Sequence, residues 1–199
     1  MLVARDRILK VTGVAPSCAR RIEGSGFVYA PQRVMTNAHV VAGVSRPSVQ
    51  SGGRSLPATV VVYDPERDLA VLDVPGLALA PLAFAGQAAT GDSAVVAGYP
   101  QDGPFRADAA RVRGVQRAKG PDIYQQRTVV REIYALRSRV RPGNSGGPLL
   151  DPRGAVYGVV FAAAADDPQT GYALTAREVA PDARAGRAAT AKVSTQACD

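Results

Sequence analysis

The sequence has no tryptophan, one histidine and two cysteines, and only three of its 24 basic residues are lysines. Each scarcity excludes something. One histidine and two cysteines near opposite ends of the chain, Cys18 and Cys198, cannot assemble the clustered nitrogen and sulfur ligands of a zinc site, so no metal is expected. Two cysteines in 199 residues are also too few for a disulfide-framework miniprotein. The longest apolar run free of proline, residues 154–165, is twelve residues long, short of the roughly 18 to 20 that a membrane-spanning helix requires. The opening Met1-Leu2-Val3-Ala4-Arg5-Asp6-Arg7 lacks the long apolar stretch of a secretory signal. Two origins fit that start: a cytosolic protein, or a portion of a longer one.

What is present is a globular composition, 46% hydrophobic and 21% charged, with 20 glycines and 15 prolines. Length and mixture allow one two-layer domain or two subdomains of about 100 residues each. The formal charge is +7, but the arginines are spread along the chain and form no run with interleaved aromatics. Nucleic acid is therefore not expected as a partner. The cysteines leave two readings open, a pair of buried thiols or a disulfide. A disulfide would close nearly the whole chain, stabilise it by on the order of 5 kcal/mol and imply an oxidising compartment.

Period-two patterning with frequent turn residues favours β structure. Strands are expected at 8–14, 26–30, 33–37, 59–63 and 69–74. Residues 75–92, with Pro75, Gly76, Pro81, Gly86 and Gly91, read as a connector. A second β series follows at 93–99, a long hairpin at 106–118 and 128–140, then 149–150, 155–161 and 172–175. Two stretches look helical, the first a short turn at 38–42. The second is expected after Thr175, where Thr175 and Glu178 fit a capping box and Pro181 limits the length. Two successive all-β halves joined by a Gly/Pro-rich crossover suggest paired small barrels.

Residues 142–149, Pro-Gly-Asn-Ser-Gly-Gly-Pro-Leu, favour a tight turn that exposes the Ser145 hydroxyl. The same turn can aim the backbone N–H groups of Gly143 and Ser145 at one point where negative charge develops. A serine hydroxyl needs an adjacent base to act as a nucleophile, and His39 is the sole imidazole. A carboxylate must then accept the other imidazole N–H. Asp64, Glu66, Asp68 and Asp73 follow His39 in the same half of the chain. Asp68, at the mouth of the apolar strand Leu69-Ala70-Val71-Leu72, is the one best placed to be held semi-buried.

Thr36-Asn37-Ala38-His39, Asp68-Leu69-Ala70-Val71-Leu72 and Gly143-Asn144-Ser145-Gly146-Gly147-Pro148-Leu149, with Gly24-Ser25-Gly26-Phe27 ahead of them, resemble the chymotrypsin-fold serine proteases, particularly the bacterial HtrA-like branch. The order His, Asp, Ser and the spacings of 29 and 77 residues match that family. The resemblance covers roughly residues 22–176. It implies an all-β double barrel of two six-stranded antiparallel barrels with a short C-terminal helix. The expected division is an N-terminal extension at 1–21, barrels at 22–84 and 93–176, a linker at 85–92, and a helix and tail at 177–199.

Carried over residue by residue, His39 resembles the general base, Asp68 its orienting partner, Ser145 the nucleophile and Gly143 an oxyanion-hole donor. The stretch Val159, Val160 and Phe161 and the pair Tyr172 and Ala173 resemble the walls of the family's substrate pocket. These walls are apolar, so an uncharged, small to medium apolar residue is expected before the scissile bond. Asn144 stands where trypsin-like zymogens carry an aspartate that pairs with a new N-terminus, so that activation route is not expected. A sequence so rich in alanine and arginine, with cysteines near both ends and no PDZ module following, is similar to the membrane-tethered periplasmic proteases of actinobacteria, the MarP type linked with acid and oxidative stress. That likeness implies a Cys18–Cys198 disulfide, a membrane tether outside this chain and an extracytoplasmic location. Protein or peptide substrates, no cofactor and a monomer complete the expectation. A protease-like binding or chaperone module without turnover is the alternative.

Overall fold

In the computed structural model, which describes residues 2–198, alternating sequence becomes two β-sheets. The first is built from β1 (Ile8–Ala15), β2 (Arg20–Ala30), β3 (Arg33–Thr36), β4 (Ser48–Ser51), β5 (Arg54–Pro57), β6 (Thr59–Asp64) and β7 (Leu69–Asp73). The second contains β8 (Ser93–Gly98), β9 (Arg106–Pro121), β10 (Thr128–Arg137), β11 (Pro148–Leu150), β12 (Val156–Ala163) and β13 (Thr170–Thr175). Helix α1 (Leu2–Arg5) opens the described chain and α2 (Ala176–Ala188) follows the second sheet.

The second sheet is a closed six-stranded barrel in the order β10-β13-β12-β11-β8-β9. The first differs from a closed six-stranded barrel: it is a seven-stranded sheet in the order β5-β4-β1-β2-β3-β7-β6. Its two edge strands, β5 and β6, are separated only by Ala58, so the chain steps from one edge to the other and the sheet must curl on itself. Strand β1 pairs with both β2 and β4, which puts residues 8–15 inside this sheet rather than in an extension packed on it. The β4–β5 hairpin, absent from the sequence reading, turns at Gly52-Gly53, both with positive φ, the backbone that a two-residue hairpin loop demands.

One apolar cluster crosses between the halves. It joins Phe27, Met35, Leu69 and Val71 of the first sheet to Ile133, Leu150, Val159 and Leu174 of the second, with Val179 and Ala183 of α2. The connector is tied to both halves: Leu82 N–H donates to Val28, while Ala83 and Ala85 exchange hydrogen bonds with Val156. The relative placement of the sheets is thus fixed by packing and by backbone bonds, and this placement brings distant residues into one cleft.

Thr175 caps α2, its Oγ accepting from Glu178 N–H at 3.1 Å. Only half of the expected capping box forms, because the Glu178 carboxylate instead accepts from Glu132 N–H. Pro181 does not end the helix, which continues to Ala188. The single lost hydrogen bond is outweighed by packing against β7 and β12.

Asp182 of α2 is buried, and one of its carboxylate oxygens has no hydrogen-bond partner. Desolvation, opposed by Arg67 and reinforced by Asp64 and Glu178, pushes its pKa from 3.8 up to about 6. Between those values the native state binds the proton more tightly than the unfolded chain does. The stabilisation from this proton is complete below about 3.8 and is lost as pH rises through about 6. Asp182→Asn should therefore raise Tm at pH 7.5 by about 2–4 °C, corresponding to about 1 kcal/mol. The gain should vanish near pH 4. Calorimetry at the two pH values checks this, and an equal gain at both would contradict it.

Candidate active site

His39 follows β3 in a tight turn whose N–H groups are satisfied locally, Val41 to Ala38 and Val44 to Val41. Asp68 immediately precedes β7 with φ of 63°, in the left-handed region that aspartate and asparagine tolerate better than most residues. Strands β3 and β7 are neighbours in the sheet, with Thr36 opposite Ala70, so the two side chains meet. Asp68 accepts from His39 Nδ1 at 2.8 and 3.0 Å and from the His39 backbone N–H at 3.0 Å. A carboxylate only accepts, so the Nδ1 proton is held there and Nε2 is left as the basic nitrogen. The Asp68 side chain is 6% exposed and that of His39 26%, which places the carboxylate behind the ring and the ring at the surface of the cleft.

Two residues unassigned in the sequence reading hold the acid. Asn37 Nδ2 donates to the Asp68 carbonyl at 2.7 Å. Arg131, on β10 of the other sheet, donates to the Glu66 carbonyl at 2.7 Å and places its guanidinium in the field of Asp68. The loop carrying the acid is thereby fastened from both halves. Asp64 pairs with Arg67, Glu66 with Arg127, and Asp73 with Arg33, so each of the other three carboxylates has a partner elsewhere.

Ser145 comes from the second half and lines the same cleft as His39, a space of about 230 Å³ that also touches Val40, Pro142, Gly143 and residues 20–23. The loop before it has a defined shape. Asn144 Oδ1 accepts from Arg141 N–H, and Asn144 N–H donates to the Arg141 carbonyl, both at 2.9 Å. Gln101 N–H donates to the Pro142 carbonyl at 2.8 Å. Across a trans peptide, C=O and N–H point in opposite directions, so the Gly143 N–H is directed away from Gln101. Among the described residues, neither the Gly143 nor the Ser145 N–H is taken up by another protein group. Gly143 has φ of +91°, and a Cβ there would lie 2.4 Å from the Tyr99 carbonyl oxygen. No other residue fits.

The expected pocket walls divide. The side chains of Val159, Val160 and Ala173 are fully buried in the cores. Phe161 and Tyr172 remain partly exposed, with ring centroids 6.5 Å apart. Phe161 is the additional residue of a bulge between Val160 and Ala162, and such a bulge re-aims a side chain out of the strand's alternation. None of these five lines the cleft that holds Ser145 and His39. Cys18 and Cys198 form a disulfide, with Cα atoms 6.6 Å apart. No group of three or more potential metal-ligating side chains occurs among the described residues.

Residues 24–159 match the family described as the trypsin-like peptidase domain. The chain belongs to that family. Within the trypsin-like peptidases it is 50% identical over 194 residues to the serine protease Rv3671c of Mycobacterium tuberculosis, covering 96% of this chain and 48% of that protein. It is 34% identical over 148 residues to a probable periplasmic serine endoprotease, DegP-like, of Chlamydia pneumoniae, covering 72% of this chain and 29% of the relative. The chain thus spans about half the length, or less, of these curated relatives. The crystal structure of the active form of the Rv3671c protease superposes with a TM-score of 0.97 at 49% identity, over 99% of this chain and 87% of that one. The inactive form superposes with a TM-score of 0.83 at 47% identity, over 93% and 91%. This trypsin-like peptidase chain has the double-sheet fold of both structures and the higher score against the active one.

Proposed function

We propose that this chain is a serine endopeptidase in which Ser145 is the nucleophile, His39 the general base and Asp68 the residue that orients it. The observation that carries the reading is the His39–Asp68 pair in a cleft shared with Ser145, beside a Gly143 N–H left open by the Gln101 contact. His39 Nε2 takes the Ser145 hydroxyl proton as Oγ attacks the substrate carbonyl carbon. The developing oxyanion accepts from the N–H groups of Gly143 and Ser145. His39 then passes its proton to the leaving amine as the C–N bond breaks, giving an acyl-enzyme. Water deprotonated by His39 attacks this ester, and the proton returns to Ser145 as the acid departs. No step calls on a metal or organic cofactor.

Phe161 and Tyr172 lie outside that cleft but stay partly exposed, and Phe161 directly follows Val160, whose backbone bonds Gly146 and Gly147 beside Ser145. The two rings are therefore the proposed apolar contacts for the residue before the scissile bond. The disulfide, together with the likeness to a periplasmic endoprotease, supports an extracytoplasmic location. A role in acid or oxidative stress and a tether outside this chain rest on the resemblance to the actinobacterial proteases. A fluorophosphonate tests the chemistry directly, because it reacts only with an activated serine beside a formed oxyanion hole. Mass spectrometry should find one adduct, on Ser145. An unlabelled protein would favour a binding module without turnover.

A further inference from the structure

Ser25 lies on β2 in the first sheet, 118 residues from Gly143, and is fully buried. Its backbone N–H donates to the carbonyl of Ser145 at 2.8 Å, and its own carbonyl accepts from Thr36 Oγ1 at 2.7 Å. Its hydroxyl has two neighbours, Tyr99 N–H at 2.9 Å and the Gly143 carbonyl at 2.6 Å. The directions are fixed by chemistry. A backbone N–H can only donate and a carbonyl can only accept, so Ser25 Oγ accepts from Tyr99 and gives its one proton to Gly143.

The two peptides flanking Gly143 are therefore each held from outside their own loop. The one before it is held by Gln101 N–H on the Pro142 carbonyl, and the one after it by Ser25 Oγ on the Gly143 carbonyl. Glycine at φ of +91° has little intrinsic preference to keep it there. Removing either anchor lets the Gly143 N–H turn away from the position where an oxyanion forms. Gly98 leaves the room that the Ser25 hydroxyl occupies, since a Cβ there would come 2.5 Å from Ser25 Oγ.

Resting on the reading of Ser145 as nucleophile, we propose that Ser25 is a positioning residue whose hydroxyl holds the peptide that follows Gly143, steadies through it the direction of the Gly143 N–H and couples the oxyanion hole to the first sheet. It touches neither substrate nor the reacting atoms. It acts through Gly143, so its removal should cost less than direct loss of an oxyanion donor, which is worth about 10²–10³ in kcat.

The test is Ser25→Ala, with Ser25→Cys as a second variant that keeps a weaker, polarisable donor and fills the site should the alanine protein fail to fold. Steady-state hydrolysis of a peptide substrate should show kcat lowered about 10- to 100-fold in Ser25→Ala with KM within about twofold, and an intermediate loss in Ser25→Cys. A peptide aldehyde, whose adduct carries the oxyanion, should lose affinity in parallel with kcat, whereas the matching peptide amide should bind as it does to the wild type. A purely structural role would weaken both ligands alike. The proposal is overturned if Ser25→Ala keeps kcat within twofold, or if aldehyde and amide weaken equally. It also falls if the folded Ser25→Cys protein turns over no slower than the wild type. Failure of the fluorophosphonate to label wild-type Ser145 would instead overturn the nucleophile assignment, and this proposal with it.

Discussion

Ser145→Ala is expected to lower kcat for peptide hydrolysis by about 10⁴-fold or more, with the fold intact. The size follows from the chemistry: without Oγ no acyl-enzyme forms, and only direct attack by water with the remaining oxyanion donors is left. The fold survives because Ser145 is held mainly by its backbone, through its carbonyl to Ser25 N–H and through the neighbouring Gly146 N–H to the Val160 carbonyl. No described hydrogen bond depends on the Ser145 side chain to shape the loop. Progress curves on a fluorogenic peptide, with circular dichroism on the same sample, check both halves. Cleavage within tenfold of the wild type would remove Ser145 from the mechanism.

Asp68→Asn is expected to be nearly as severe, about 10³- to 10⁴-fold in kcat at neutral pH. The carboxylate accepts from both the His39 backbone N–H and Nδ1. With its oxygen kept on the backbone N–H, an amide places an NH₂ where the carboxylate oxygen nearest Nδ1, at 2.8 Å, was. The imidazole then favours the tautomer with Nδ1 as acceptor, and Nε2 carries a proton when a base is needed. Asparagine suits the left-handed backbone at this position, and the Asn37 bond goes to the main-chain carbonyl, so it persists. The loss should therefore fall on turnover and on the rate of fluorophosphonate labelling, with Tm changed little. A drop of less than tenfold in both rates would mean that Asp68 does not orient the base.

The parts of this site legible in the sequence were those whose chemistry needs a rare residue. A sole histidine, a serine in a run of glycines and an aspartate before an apolar strand leave few combinations, and the structure brings His39 to Asp68 and into one cleft with Ser145. Residues that act by position were not legible in this way. Ser25 was visible only as part of a glycine-flanked motif, because its role depends on which strand faces it across 118 residues. Arg131 reaches the acid loop from the opposite sheet, and residues 20–23 line the cleft because β2 extends six residues beyond the stretch expected from alternation. Composition also says nothing of burial on both faces of a strand. Val159 and Val160 point to different cores, one shared with the first sheet and one inside the barrel, whereas a pocket wall would need one of them exposed. The β4–β5 hairpin did leave a local signal, the adjacent glycines at its turn.

The bond between Cys18 and Cys198 spans 180 residues. A nick in any loop between them, whatever protease makes it, would leave both fragments covalently tied as one molecule that has gained only a water. Such damage or maturation would be invisible on a gel run without reductant. Only an encounter with a thiol would let the pieces part.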